Sequence, residues 1–565
     1  MLKRIYVVCS LFFVLVIILG VAKGFGNLLE FLPLLPPFVA IALAFITHEV
    51  IISLFVGIFL GTLMTIEMNG FLGVVKSPFI GFFKTVDTYL VKAIADADHV
   101  SVIVFTLFIG GTVGLIGKSG GLEGIVNKVS KHAKNSVLSQ FYTWLMGLLI
   151  FFDDYANTLI VGNTMRPITD RFRVSREKLS FLVDSTAAPV ASLVIVSTWI
   201  GYEIGLIQEA FNASGIEIDA YMAFIYSIPY RSYVILMLVF IPIIIFFKRD
   251  FFSMYKAEAR ARQSGECLKA GTVPLAGVEL AEVGSNNKEA RAINAIIPII
   301  ILIGGVLVGL YITGYNSIMG DGGAEAAANA GVRDILGNAD SFKSLVWASF
   351  LSSVVIMVMI VYQKLMTVKE AINTWVSSMK TMIAAVIILV LAWSLGAVLG
   401  DIKTAETVSN LVGNVLSVTY LPIVVFVISS VIAFATGTSW GSMAILFPIV
   451  VPLAVKLGAN TGLPVEETMV YMYASIGAIL SGTVFGDHCS PISDTTIMSS
   501  IASGVDHMDH VSTQLPYALI VGIISCIVGY LPAGFGLNPW ISLLLGILAL
   551  FIVVLTFGKK VDNIK

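Results

Sequence analysis

Leu149–Met165 reads LIFFDDYANTLIVGNTM, an apolar run interrupted by two adjacent carboxylates, Asp153 and Asp154. On insertion scales an ionised carboxylate near the bilayer centre costs roughly 2.5–3.5 kcal/mol, so acids at that depth face a protein interior or a wet cavity and mark a transport path. A lipid-facing helix would not carry two in succession.

The surrounding chain places this stretch in a membrane. Of 565 residues, 57% are hydrophobic and only 12% charged, and apolar runs of spanning length recur throughout. The formal net charge of −2 gives no basic excess, which argues against nucleic acid as a partner. Cys9, Cys267, Cys489 and Cys526 are scattered without a Cys-x-x-Cys pattern, so neither a disulfide framework nor a zinc site is expected. Lys3 and Arg4 precede the apolar run Ile5–Val21 as in a signal peptide, but no small-residue cleavage motif follows, and a retained span is expected.

Runs that read as spans are Ile5–Val21, Leu34–Thr47, Val50–Ile66, Val100–Gly117, Leu179–Trp199 and Tyr233–Phe247, then Ile293–Tyr311, Leu345–Val361, Met382–Leu399, Met469–Val484, Leu515–Tyr530 and Trp540–Phe557. His48 and Glu49 separate two of them and read as an interfacial turn. Orientation follows from Lys and Arg. Lys118, Lys128, Lys131 and Lys134 crowd one connection, and Arg166, Arg171, Arg173, Arg176 and Lys178 a second. A third holds Lys248, Arg249, Lys256, Arg260, Arg262, Lys269, Lys288 and Arg291. All three are expected in the cytoplasm. The loop Gly314–Ser341, with Arg333 against Asp321, Glu325, Asp334 and Asp340, is expected outside.

Basic loops flank Val137–Met165 on both sides, so the chain must enter and leave on one side, yet about 29 residues cannot make two spans of about 20. The segment therefore reads as a re-entrant hairpin with Asp153–Asn157 at its tip. Irregular backbone at such depth survives only where it is buried in protein or lines a water-filled cavity. Leu421–Phe434 breaks at Ala435–Trp440 and resumes through Met443–Leu453, which reads as a second hairpin by the same length argument. Each hairpin precedes an interrupted span, at Asp184–Pro189 and at Phe485–Thr496, where Pro189 and Pro491 each remove a backbone donor.

The order of three spans, hairpin, span, span occurs twice, starting on opposite sides. The expected fold is an all-α polytopic membrane protein of two inverted repeats, each with a re-entrant hairpin and a following broken helix, with about 12 transmembrane helices. The expected divisions are an N-terminal extra helix (1–33), a first repeat (34–247, hairpin 137–165), a cytoplasmic loop (248–292), a second repeat (293–531, hairpin 421–453) and a C-terminal helix and tail (532–565). Parity leaves both termini in the cytoplasm.

Hairpin tips and broken helices offer free carbonyls, N–H groups and dipole ends to small ions. The expected ion- and proton-binding residues are Asp153, Asp154, Asn157, Ser185, Thr186, Thr436, Thr438, Ser439, Asp487, His488, Ser490, Asp494 and Thr495. Hard oxygens suit a hard cation, and a Na+ site is expected at Asp153, Asp154, Asn157, Thr438 and Asp494. Adjacent carboxylates cannot both stay ionised cheaply when no cation is present, so proton and Na+ compete for the pair, which is the minimal mechanism of antiport. His488 reads as a pH-responsive neighbour.

Other classes fit less well. Gly111–Ser119 imitates a phosphate loop, but Thr112 stands where the motif needs its first glycine, and the stretch lies in a span. Asp487-His488-Cys489 offers adjacent residues that do not converge on one metal, so an enzyme is not expected. A channel would want a repeated filter. The closer alternative is a Na+- or H+-coupled transporter or exchanger of a small carboxylated solute, such as an amino acid, malate or lactate. Against a dianion, no Arg follows Arg333 and neither hairpin tip holds a base.

Three stretches, Phe151–Asn157 (FFDDYAN), Gly437–Ser442 (GTSWGS) and Gly486–Thr495 (GDHCSPISDT), resemble the signatures of the NhaC-type Na+/H+ antiporter family within a larger ion-transporter superfamily, and the resemblance runs from about Leu34 to about Tyr530. It implies a secondary transporter of the bacterial cytoplasmic membrane, exchanging Na+ for H+ without a cofactor, with paired hairpins and a homodimer moving its substrate by an elevator motion. Members of that family are also assigned to malate–lactate exchange and to amino acids, so the resemblance leaves the substrate partly open.

Overall fold

In a bilayer every backbone polar group has to find its partner inside the protein, and helices do this within one segment. The computed structural model describes residues 28–47, 49–66, 70–272, 290–404, 406–407 and 416–561, and these are nearly all helical. The expected helix Ile5–Val21, together with Cys9, His48 and Lys288, lies outside the described residues. Among the described residues nine helices are long and apolar enough to cross a membrane, or ten if Ala220–Tyr230 and Ser232–Phe247, bent by 51°, count as one broken span. Two shorter apolar helices, Phe31–Ala44 and Val50–Met64, precede them.

Several elements differ from the sequence expectation. Gly70–Lys84 is a helix that continues through a π turn (Thr85–Leu90) and Val91–Ala95, where only a connection was expected. Lys76, Lys84, Asp87 and Lys92 lower its hydropathy, although Phe79, Phe82 and Phe83 stand exposed along it. The run Leu179–Trp199 is not one span. Arg176–Asp184 ends at the expected break, but apart from Ala188–Ala191 the chain stays irregular to Trp199, and a second helix, Ile200–Ser214, follows. Glu203, Gln208 and Glu209 had hidden that helix from a hydropathy reading.

The second hairpin is longer than its expected limits of 421–453. Its arms are Val418–Thr436 and Ser439–Asn460, of 19 and 22 residues, each long enough to cross, so the length argument for re-entrancy fails there. Lys456 and the small residues around it had disguised the end of the second arm. In the first hairpin the arms, Ser136–Leu149 and Asp154–Arg171, have 14 and 18 residues. The expected loop Gly314–Ser341 is also largely helical. Ile293–Asn329 runs through it with a kink at Gly323, and Val332–Gly337 follows.

At one end of the molecule the basic segments gather. Arg249–Asp250 pairs antiparallel with Lys559–Lys560, and the helix Phe252–Ser264 lies beside them. Glu258 on that helix accepts from the Ser175 backbone N–H at 2.7 Å and from its hydroxyl at 2.8 Å. Lys178 reaches Asp250 at 2.5 Å, the Tyr517 hydroxyl donates to the same oxygen at 2.6 Å, and Arg260 reaches Glu177 at 2.9 Å. The connections around 166–178 and 248–269 therefore share a side with the strand 559–560. Between Asp250 and Lys559 the chain must cross an even number of times, a condition met whether the second hairpin crosses twice or not at all.

Lys178 is 1% exposed, so Asp250→Ala strands a buried ammonium. Breaking such a pair from one side costs about 3–5 kcal/mol, whereas an apolar replacement of both partners is nearly neutral. Thermal unfolding in detergent should show a large loss for Asp250→Ala, and at least half of it should return in Lys178→Met/Asp250→Leu.

Candidate cation site

The first tip is built by a helix cap. Ser136–Leu149 ends at Ile150, and Asp153, with extended backbone (φ −154°, ψ 128°), starts the helix Asp154–Arg171. Its Oδ1 accepts from the Ala156 N–H at 2.7 Å, satisfying one of the orphan donors that every helix start leaves. Its Oδ2 accepts from the Thr198 hydroxyl at 3.2 Å, while the Thr198 N–H donates to the Phe152 carbonyl at 2.9 Å. The irregular stretch before Trp199 is thus stitched to the tip.

Asn157, one turn on, is 1% exposed. Its amide nitrogen serves three carbonyls, those of Gly147 at 2.8 Å, Ile150 at 3.1 Å and Thr186 at 2.8 Å. The arm and the break lie so close that a Cβ on Gly147 would fall 2.0 Å from the Thr186 hydroxyl.

The second tip repeats this construction. Leu421–Thr436 ends in Gly437, whose left-handed φ of 69° suits glycine, and Thr438 (φ −149°, ψ 124°) caps Ser439–Asn460 by accepting from the Gly441 N–H at 3.3 Å. A second broken helix, Val465–Cys489 followed by Asp494–Ser503, lies against it. The Ser439 hydroxyl donates to Asp487 at 2.6 Å, and the Ser490 hydroxyl donates to the Phe434 carbonyl at 2.7 Å. Tyr202 stacks on Trp440 with centroids 4.3 Å apart and donates its hydroxyl to the Trp440 carbonyl, and Trp199 meets Trp440 edge-on at 5.8 Å.

Both tips open on one cavity of about 180 Å³. Its carboxylates are Asp153 and Asp154 from the first tip and Asp487 and Asp494 from the second broken helix. Thr198, Thr438, Ser439 and Thr495 add hydroxyls, Tyr155, Trp199 and Trp440 add rings, and among the described residues no Lys, Arg or His lines it. The rest of the lining, Thr381, Met382, Ala384, Ala385 and Ile388, carries no charge. Tyr155 donates its hydroxyl to Asp494, joining the first tip to the second break, and Asp487 Oδ1 has no hydrogen-bond partner among the described residues. Two like charges 4 Å apart repel by about 4 kcal/mol at an effective dielectric constant near 20. Four carboxylates around so small a space therefore call for protons or a cation.

Of the residues selected from sequence, Asp153, Asp154, Thr438, Ser439, Asp487, Asp494 and Thr495 line this cavity. The others stand behind it. Asn157 faces the carbonyls above, Thr186 bonds the Leu182 carbonyl at 2.8 Å, Thr436 the Ile432 carbonyl at 2.8 Å, and Ser490 the Phe434 carbonyl. Ser185 lies 2.9 Å from His488 Nε2, and the Tyr233 hydroxyl 2.8 Å from its Nδ1. Among the described residues no three His, Cys, Asp or Glu converge on one metal-sized point; the acids are spread around the wall. Thr198 and Trp199 escaped the sequence reading because they lie more than 40 positions from the tip they complete; Tyr155 was placed within the tip but given no role, since its bond to Asp494 spans 339 positions.

Comparison with known proteins fits this geometry. Residues 190–535 match the Na+/H+ antiporter family. The chain belongs to that family. This family member is 30% identical over 528 residues to an uncharacterized protein of Haemophilus influenzae, covering 93% of this chain and 95% of the relative. It is 32% identical over 173 residues to the malate-2H(+)/Na(+)-lactate antiporter of Bacillus subtilis, covering 29% and 34%. Its fold is similar to that of the Alcanivorax borkumensis YdaH transporter, with a TM-score of 0.50 at 13% identity over 81% of this chain and 90% of that one. The antiporter-family protein is accordingly a multi-pass membrane protein and a secondary transporter, not an enzyme.

Asn157→Ala would leave three buried carbonyls without their donor, and an unsatisfied buried group costs about 1–3 kcal/mol. Its thermal midpoint in detergent should fall clearly. Asn163→Ala, which alters an exposed residue two turns further along the same helix, should stay near wild type.

Proposed function

We propose that the protein exchanges Na+ for H+ across the cytoplasmic membrane, both ions using the cavity between the two tips. The observation that carries this reading is the wall itself: four carboxylates and five Ser/Thr hydroxyls around about 180 Å³, with no Lys, Arg or His among the described residues that line it. Hard oxygen donors of this kind suit Na+. Asp153 is committed to the Ala156 N–H and the Thr198 hydroxyl, so Asp154 is the residue that trades its proton for the cation. Asp153, Thr438 and Asp494 complete the oxygen set. High pH removes the proton and admits Na+; low pH reverses the exchange.

The architecture supporting this function is a pair of inverted repeats, 34–247 and 293–531, with extra helices 1–33 and 532–565 at the ends and the loop 248–292 in the cytoplasm. The matched caps at Asp153 and Thr438, each followed by a broken helix, support this division. The first hairpin, with arms of 14 and 18 residues, re-enters rather than spans, about 12 helices cross, both termini lie in the cytoplasm, and the working unit is a homodimer. Na+ and H+ are the transported ions, and no cofactor is required. Cysteine placed at the exposed Gln263 should be labelled only from the cytoplasmic side; labelling from outside would invert the topology.

A second reading, coupled transport of a small carboxylated solute, draws on the size of the cavity. At about 30 Å³ per water in the liquid, its 180 Å³ exceeds one bare ion. The named B. subtilis relative exchanges organic acids together with ions. The unopposed acids count against an anion.

Purified protein in liposomes with an internal pH dye separates the two. Na+ alone should drive proton movement, faster at higher pH, and Asp154→Asn should reduce it at least about a hundredfold while preserving the fold, because an amide neither releases a proton nor attracts a cation. Protons that move only when malate, lactate or an amino acid is added would replace the first reading by the second.

A further inference from the structure

The strand pair at the basic end sets two like charges against each other. Arg249 stands opposite Lys560, and Asp250 opposite Lys559. Residues directly opposite in an antiparallel pair share one face, with Cβ atoms about 4.5–5.5 Å apart, and like charges placed so destabilise the pair. A ladder of two residues has little of its own to set against that repulsion. Arg249 Nη1 donates to the carbonyls of Leu555 at 2.8 Å and Gly558 at 2.6 Å, at the end of Pro539–Phe557. These bonds steady the guanidinium without cancelling its charge.

The acids nearby do not cancel it either. Over residues 246–256 and 552–561 five bases, Lys248, Arg249, Lys256, Lys559 and Lys560, stand against one acid, Asp250. Asp250 is already taken by buried Lys178 and by the Tyr517 hydroxyl. Two helices that pack against each other beside the strands, Phe252–Ser264 and His507–Ile524, hold one acid each. Glu258 faces Arg262 at 3.6 Å, and Asp509 faces Lys269 at 2.7 Å. Lys256 and Lys560 are exposed and have no partner among the described residues.

Apolar surface adjoins these bases. Phe246 lies at the end of Ser232–Phe247, Phe557 ends Pro539–Phe557, and Phe252 begins Phe252–Ser264; the three rings are 55%, 73% and 68% exposed. Pro539–Phe557 is long and apolar enough to cross a membrane, and Ser232–Phe247 is half of the bent pair. Exposed rings next to bases at the ends of such helices mark the level where hydrocarbon gives way to headgroups.

We propose that this strand pair is a binding site for an anionic phospholipid of the leaflet at the basic end, its phosphate held between Arg249 and Lys560 and its acyl chains on Phe246 and Phe557. Phosphate oxygens accept from a guanidinium and an ammonium together, so one headgroup replaces the repulsion across the strands by two attractions. Lys256 and Lys559 add to the field around it. A zwitterionic lipid brings its own cation and leaves the excess charge in place, whereas free phosphate supplies the charge but nothing for the exposed rings. The site is independent of which solute the protein carries.

The test uses purified full-length protein in detergent, given phosphatidylglycerol, phosphatidylcholine or inorganic phosphate in turn. Phosphatidylglycerol should raise the thermal midpoint by at least about 3 °C more than either of the others. A base near an anionic membrane surface is worth about a fivefold factor, so Lys559→Gln/Lys560→Gln should weaken phosphatidylglycerol binding, followed by native mass spectrometry, at least about tenfold. Lys131→Gln/Lys134→Gln, which alters exposed bases of another connection, should stay within about twofold of wild type. Lys560→Glu turns the repulsion into an ion pair with Arg249, so the lipid-free midpoint should rise and the gain from phosphatidylglycerol should shrink by at least half. Equal stabilisation by phosphatidylcholine or by inorganic phosphate, equal losses in the two lysine pairs, or a Lys560→Glu protein that gains as much from phosphatidylglycerol as wild type overturns the site.

Discussion

Backbone broken inside an apolar protein has to be re-paired, and the structure is arranged around that need. At the first tip, Asp153 caps a helix with one oxygen and takes the Thr198 hydroxyl with the other, so a single acid closes one break and fastens another. Asn157 supplies donors to three carbonyls, Ser490 covers the Phe434 carbonyl, Gln514 covers that of His488, and buried Arg231 covers that of Ser192. Several of these partners come from a different part of the chain from the group they satisfy: Thr198 lies 45 residues from Asp153, Ser490 56 from Phe434, Gln514 26 from His488 and Arg231 39 from Ser192. The breaks are therefore not loose ends. They are bonded across to other segments, which is how irregular chain remains stable where water is scarce.

The same pairing explains which parts were legible in the sequence. DDYAN, GTSW, Pro189 and Pro491 announced where helices stop, because acids, small residues and prolines in apolar runs have few other uses. How far a break extends was not legible. Residues 192–199 look apolar enough for a helix, and only the Ser197 hydroxyl bonded to the Ala191 carbonyl, with Thr198 bonded across to Phe152, reveals that they are unwound. Asn157 was legible as important but not in its role, since a polar tip residue reads equally well as ligand or rivet. Gly70–Ala95 was lost to hydropathy because exposed Lys76, Asp87 and Lys92 interrupt its apolar face, and Ile200–Ser214 because a helix packed inside the protein carries the buried Glu203 toward a partner, Arg231.

The cavity is also asymmetric in a way that bears on its chemistry. All four carboxylates come from the first tip and the second broken helix, whereas the helix that begins near Thr381 contributes a threonine, a methionine, alanines and an isoleucine. A cation held by the acids finds no competing charge on that face. Within the acidic set, the bonds from Tyr155 to Asp494 and from Ser439 to Asp487 keep the first tip, the second tip and the second broken helix together.

The short strand pair at the basic end has a mechanical meaning. Joining Arg249–Asp250 to Lys559–Lys560 fixes two distant points of the chain about one strand spacing apart, roughly 4.8 Å. The helices between them then form a closed linkage, in the engineer's sense, rather than an open arm. In a closed linkage no member turns alone: a tilt of Pro539–Phe557 is handed through the clasp to Asp250, from Asp250 to Lys178, and so to the helix that ends at the first break.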